Sequence, residues 1–432
     1  MQSYIDELDT DILPFVDYEG YDDRYPTLSV QSFPAEFYDE IRHASRMLFQ
    51  IFYKATKVFQ QAPDEFALNM DMPENLIPYL HRGNPLAYLR GCLALILFSI
   101  HRGGDCAWWK LMRIPPCFLI ESYYANEVGG ARYFDKEHPN VGGARDELER
   151  FLKRVYERTS QENSKYNTAN SGGPNPFVFA CFHDYLEDLG TTKFLMNTMK
   201  SACPEADVRF LSFYDMVIDD EGGVLLPDGS HASNLYRLHP MELLIDETTA
   251  TGEPLGEMFL DLYNEGRFNL FNPPEAIILQ NKSFMSLVYA LYLTDQFFTG
   301  PERDIIERYL TPSYFESDFP NLDEGLYIQK EIWGREGRNI QVVEKHGDQA
   351  KVFMEKFVDN YDDIICRDSK KVMYQDFIKQ RRFIHTVDSG TKEGCLTLSC
   401  FMLGDQASAV GARFSPEEIA GTEAYFLPLV ID

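Results

Sequence analysis

The chain has 432 residues, 44% of them hydrophobic and 25% charged, and carries a formal charge of −28 at neutral pH. That length holds two or three domains around substantial cores, and the apolar content excludes a disordered chain. The acidic balance argues against a nucleic-acid partner, since counterion release from a phosphate backbone needs clustered Lys and Arg; it suits solubility and is compatible with a cationic substrate.

The opening "MQSYIDELDTDILPFVDYEGYDD" is acidic where a secretory signal would be basic and then apolar. The longest apolar run near the front, "CLALILFSI", is too short to span a bilayer. A cytoplasmic protein without a membrane partner is therefore expected. Residues 1–39, acidic and aromatic, read as an arm or an ordered cap. From Glu40 to Gln61 the apolar residues recur at helical spacing, which predicts a helix. "CFLIESYY" reads as a buried strand and "ANEVGGARYF" as a turn at Gly129-Gly130, before an amphipathic helix over "DELERFLKRVYERTSQ" and a loop over "SKYNTANSGGPNP".

Beyond that loop, "FVFACF", "TTKFLMNTMKSA" and "VRFLSFYDMVI" alternate strand, helix and strand, an α/β layer. "DDEGGVLLPDGS" reads as a hairpin connection. "AIILQ" reads as a short strand, after which Asn281-Lys282 opens a helix. The remainder is strand-dense, from "LYIQKEIW" to "AYFLPLVI", with one helix over "AKVFMEKFVDNY"; an antiparallel sheet in an α+β arrangement is expected. The eight cysteines show no CxxC spacing and read as buried small hydrophobes in a reducing compartment. Cys181-Phe-His183 is at most half a metal site, with nothing nearby to complete it.

The chemistry concentrates late in the chain. Lys282 and Lys330 are separated by a helix and a loop, and the second precedes Gly334-Arg335-Glu336-Gly337-Arg338. Ammonium groups pair with phosphate oxygens, and backbone N–H groups freed by glycine cradle them, so a triphosphate under a glycine-hinged lid is the natural target. Neither GxxxxGK[ST] nor GxGxxG occurs in the right context.

"FNPPEAIILQNKSFMSLVYAL", "LYIQKEIWGREGRNIQVV", "VGARFSPEEIAGTEAYFLPLVI", "LYRLHPMELLIDE" and "FHDYLEDLGTTKFLMNTMKSA" together resemble the glutathionylspermidine synthase family of ATP-grasp ligases, in particular its synthetase-only members. The resemblance runs from about Phe177 to the C-terminus. It implies an ATP-grasp fold, α+β with α/β, in the permuted order of glutathione synthetase and with a pre-ATP-grasp substrate domain. The corresponding division is an acidic arm over 1–39, the N-terminal part of the core over 40–140, a substrate domain over 141–270 and a nucleotide domain over 271–432. The implied reaction activates a carboxylate as an acyl phosphate, which an amine attacks to form an amide, with no covalent enzyme intermediate.

By position, the resemblance makes Lys282 and Lys330 the phosphate lysines, with Gly334 and Gly337 hinging the lid that carries Arg335. Arg413 is the late arginine near the phosphates, and Gln375 and Asp376 lie on the strand whose backbone meets the adenine. For Mg²⁺ the nearest candidates to the family's Arg-x-Asp and Glu-x-Asn-x-Asp motifs are Arg102-Gly-Gly-Asp105, then Glu121 and Asn126, with stretched spacing; Arg102 is assigned to the substrate and the other three to the metal. Glu121 reads equally well as a charge flanking a strand end. Glu187 and Asp188 either bind a polyamine or amino group or sit favourably at a helix N-terminus; Glu242 either faces the cleft or is a surface carboxylate. ATP and Mg²⁺ are the implied cofactors, and a peptide-like acid and an amine, glutathione and a polyamine among them, the implied substrates. A ligase of the same fold acting on another peptide or natural-product acid, and a nucleotide-binding homologue that lost catalysis, stay open beside this reading.

Overall fold

The computed structural model describes residues 3–17, 21–81, 93–99, 108–111, 119–140, 143–166, 176–219, 223–347, 349–356 and 366–432. Arg102 and Asp105 lie outside the described residues.

The parallel layer expected after residue 176 is present. Its strand order is Val208–Ser212, Phe177–Cys181, Asn234–Leu238 and Asn269–Phe271, all parallel. The helix Leu186–Ala202 makes the crossover between the first two strands in sequence. Strand Phe177–Cys181 is buried along its whole length because both faces of this sheet are covered. Val178, Ala180 and Leu235 enter one core, and Phe177, Phe179 and Tyr236 enter another.

The strand-dense C-terminal part forms two sheets rather than one. In the five-stranded sheet, Ser313–Phe315, Val372–Asp376, Gly325–Glu331, Gln341–His346 and Gln349–Glu355 pair antiparallel in that order. In the other, Tyr425–Phe426, Gln406–Ser415, Gly390–Leu403, Leu93–Ser99 and Trp108–Leu111 follow one another, with Arg382–Val387 paired to Gly390–Leu403. Strands from the first quarter of the chain thus complete a sheet of the last. Gln31–Phe33 likewise pairs parallel with Leu429–Ile431.

Four local expectations are corrected. "CFLIESYY" is not a strand where it is described: Glu121–Ala125 and Glu127–Tyr133 are helical, both wound as π-helix, and bury Ile120, Tyr123, Ala125 and Val128 in the second core. Gly129 and Gly130 make no turn; a Cβ on Gly129 would lie 2.7 Å from the Tyr4 ring, and one on Gly130 2.9 Å from the Leu429 carbonyl oxygen. They are small because other chain segments pass there. Over "AKVFMEKFVDNY", Gln349–Glu355 is a strand, since the edge of Gln341–His346 supplies a ladder that overrides helix propensity. "AIILQ" is helical over Ile277–Gln280, where the apolar run packs on the long helix core instead of joining a sheet.

The first core is organised by the helix Ala35–Gln61, which starts after Pro34 and stops before Pro63. Its Tyr38, Ile41, Ala44, Leu48, Phe52, Ala55 and Phe59 recur at three- and four-residue intervals and are buried in one core with Leu396, Leu398 and Phe284. The second core takes in the N-terminal segment, through Tyr4, Ile5, Leu8, Leu13 and Phe15. Residues 3–17 are therefore an ordered cap. No single helix among the described residues is long and apolar enough to cross a membrane.

Candidate functional site

Lys282 stands just ahead of the helix Ser283–Leu293, whose start is fixed by Asn281: its Oδ1 accepts from the Ser283 amide at 2.8 Å. The Lys282 ammonium donates to the carbonyls of Ile332 and Gly334, at the base of the hairpin between Gly325–Glu331 and Gln341–His346. The first lysine and the glycine–arginine hairpin are thus in contact, although 52 residues separate Lys282 from Gly334. Lys330, only 5% exposed, donates to Gln375 Oε1 at 2.6 Å, and Gln375 Nε2 donates to Ser313 Oγ at 2.8 Å.

Asp376 lies against Tyr314, Tyr327 and Tyr289; burial raises its carboxyl, while the Tyr314 hydroxyl opposes that. The strand Val372–Asp376 is interior to its sheet, with Ser313–Phe315 on one side and Gly325–Glu331 on the other. Its backbone is spent on two ladders. The expected backbone contact with an adenine is thus not available along this strand, which leaves the side chains of Gln375 and Asp376 and the segment that follows them to meet a ligand.

The hairpin turns through Glu336 (φ 45°), Gly337 (φ 77°) and Asn339 (φ 52°), with the Arg338 amide donating to the Arg335 carbonyl at 2.7 Å. Gly337 is required by this left-handed backbone and by space, as a Cβ would sit 3.2 Å from the Ala420 carbonyl oxygen. The segment expected as a glycine-hinged lid is packed against the protein. Ile332, Trp333, Gly337 and Ile340 are buried, and Trp333 Nε1 donates to the Asp71 carbonyl at 2.7 Å. Arg335 turns inward and pairs with Glu242, which is 1% exposed. Gln280 Nε2 donates to both Glu242 oxygens at 3.0 Å. Glu242 is therefore no surface carboxylate. Arg338 faces the other way, to Asp368 at 2.9 Å and Cys366 Sγ at 2.8 Å.

A second cluster forms where the N-terminal cap meets the six-stranded sheet. Tyr25 donates its hydroxyl to Glu121 Oε1 at 2.8 Å, and Arg413 Nε donates to the Tyr25 oxygen at 3.3 Å. Glu121 is 2% exposed and its Oε2 has no hydrogen-bond partner. Burial pushes its carboxyl up to about 7, against the lowering influence of Tyr25 and Arg413, and the Glu187 charge adds to the rise. Glu187 and Asp188 occupy the first turn of Leu186–Ala202, as the helix dipole favours, and Glu187 also acts electrostatically on the Tyr25–Glu121 pair.

An orphaned, buried carboxylate oxygen fits a hard cation held jointly with substrate phosphates, since Mg²⁺ takes only one or two protein carboxylates in such sites. Asn126 fits less well: its Oδ1 accepts from the Leu429 amide at 2.6 Å and its Nδ2 faces His138 Nε2 at 3.1 Å. Among the described residues, no three His, Cys, Asp or Glu side chains group as a metal cage. Cys181 is buried and His183 Nδ1 lies 2.7 Å from Ser212 Oγ, so that pair is accounted for structurally.

The hairpin meets the segment that follows the strand Gln406–Ser415. Lys356, after the strand Gln349–Glu355, pairs with Glu417 and, at 2.9 Å, with Glu423, and Gly337 packs on the Ala420 backbone. Sequence reasoning missed Tyr25 and Gln280, neither of which carries a local signal.

No curated protein matches the chain. A glutathione synthetase-like effector from Globodera pallida, in its apo form, superposes with a TM-score of 0.53 at 9% identity, over 94% of this chain and 90% of that one, which shows a shared fold. A Methylobacillus flagellatus chain described as a gamma-glutamylcysteine synthetase matches at TM-score 0.41 and 10% identity, over 84% of this chain and 86% of that one. The family model for the glutathionylspermidine synthase pre-ATP-grasp region matches residues 120–432. With that match spanning the parallel sheet, both lysines, the hairpin and Arg413, the chain belongs to the glutathionylspermidine synthase pre-ATP-grasp family.

Proposed function

We propose that the protein is an ATP-dependent carboxylate–amine ligase of the permuted ATP-grasp type, working on a peptide-like acid and an amine. The observation that carries this reading is the meeting of Lys282 with the Arg335 hairpin, beside Lys330, in a chain of charge −28. Cations gathered in so acidic a protein serve an anion, and a triphosphate matches their number. In the first step a carboxylate oxygen attacks the γ-phosphorus of ATP and ADP leaves. In the second the amine nitrogen attacks the acyl carbon, phosphate leaves, and the nitrogen gives up a proton. Phosphoryl transfer asks mainly for positioning and charge neutralisation, which Lys282, Lys330, Arg335 and Arg413 supply. Mg²⁺, with Glu121 as its protein ligand, would neutralise the phosphate oxygens.

Isothermal titration with ATP tests the nucleotide site. Lys282→Ala and Lys330→Ala should each weaken binding by about tenfold or more, because phosphate oxygens then lose a charge-assisted partner. Unchanged affinity in both variants sinks the assignment. A second reading, nucleotide binding without turnover, is favoured by the engagement of the Asn126 oxygen with Leu429. ADP release with glutathione and spermidine separates the two, since only a ligase couples it to both partners.

A further inference from the structure

The parallel sheet reverses its strand order between Phe177–Cys181 and Asn234–Leu238. In open sheets of this kind, small molecules settle in the crevice beyond the carboxyl ends of the strands at such a reversal. Arg237 stands at that edge, in register with Ala180 and one residue before the end of its strand. Its Nη1 donates to the His239 carbonyl, whereas its Nε is buried with no hydrogen-bond partner. Leaving such a donor unmade costs about 1–3 kcal/mol, and a native structure tolerates it where a ligand or water completes the bond.

Charge points the same way. Burial lowers the Arg237 guanidinium to about 10, and the acid that most opposes this is Glu242. Glu242 is already engaged by Arg335 and by both Gln280 hydrogen bonds. The hydrogen bonds of Glu242 are thus taken by Arg335 and Gln280, and Arg237 feels its charge without bonding to it.

We propose that Arg237 anchors a carboxylate of the acid substrate, an amino acid or short peptide, in the crevice beyond the carboxyl ends of the parallel strands. This rests on the ligase reading. A planar guanidinium presents parallel N–H donors to a carboxylate, which an ammonium cannot reproduce, so the site discriminates an acid from its ester.

The test uses the full chain with glutathione and glutathione diethyl ester as probes and ATP as the internal control, by isothermal titration. Wild-type protein should bind the diacid at least about tenfold more tightly than the diester. Arg237→Lys, which keeps the charge and the fold, and Arg237→Gln should each erase that preference while leaving ATP affinity within about twofold. A wild-type protein that binds ATP but does not prefer the diacid overturns the assignment and leaves the nucleotide reading standing. So does a preference that survives both substitutions, or an ATP affinity that falls in step with them. Wild-type protein that fails to bind ATP overturns the ligase reading itself.

Discussion

Glu121 is the residue whose environment makes the sharpest demand. Its folded value near 7 stands above the ordinary 4.5 of a glutamate because burial penalises the charged form. Folded protein therefore holds this proton more tightly than unfolded protein. The carboxyl is tolerated at no cost below about pH 4.5, and stability is lost as pH rises from there to about 7. The shift corresponds to about 3 kcal/mol. Glu275, also pushed to about 7 by burial, adds to the same trend in the wild type and cancels in a comparison of variants. Glu121→Gln stays neutral, so its Tm relative to wild type should rise between pH 5 and pH 8 without nucleotide or metal. A flat difference would mean that the resting protein carries Glu121 ionised. Lys282, Lys330 and Arg335 could be singled out in the sequence as candidates because their motif is local. Tyr25 was not, since a tyrosine in an acidic arm has no local reason to meet a glutamate 96 residues away.

At the scale of elements, the hairpin sends Arg335 to Glu242 and Arg338 to Asp368 from the same turn. On the proposed reading Arg335 leaves Glu242 to stabilise charge that develops only during phosphoryl transfer, whereas Arg338 stays with Asp368 and Cys366. Arg335→Ala should lower kcat by about 10²-fold or more with ATP affinity changed by less than about threefold. Arg338→Ala should do less, and steady-state kinetics beside ATP titration rank the two; a reversed order removes the hairpin from the chemistry.

The helical segment Glu127–Tyr133 makes an opposite kind of demand. Alanine in place of a mid-helix glycine ordinarily stabilises by about 0.5–1 kcal/mol. At Gly130 the new Cβ would meet the Leu429 carbonyl oxygen at 2.9 Å, backbone that cannot step aside, so Gly130→Ala should destabilise by about 1–3 kcal/mol. A denaturant midpoint above the wild-type value would refute that contact. Paired glycines read locally signify a turn; only the strand passing over them reveals the need for close approach.

For the whole molecule, the linear division at residues 39, 140 and 270 does not describe how the sheets are built. Leu93–Ser99 pairs with Gly390–Leu403, and Gln31–Phe33 with Leu429–Ile431, so the ends of the chain share sheets. The fused layers bring Tyr25, Glu121 and Arg413 into one cluster and seat Glu242 beneath the hairpin. By itself the sequence determined the parallel layer, the long first helix and the late strands, and singled out the two lysines and the arginine hairpin as candidates, because each rests on periodicity or motif within a short window. Only the tertiary structure decided that "AKVFMEK" is a strand and "LIESYY" a helix, because the free edge of Gln341–His346 and the apolar second core outweigh local propensity. It also decided that Glu242 is buried and that Arg237 stands at the strand-order reversal, because charge pairing and sheet order arise between segments that no local window contains.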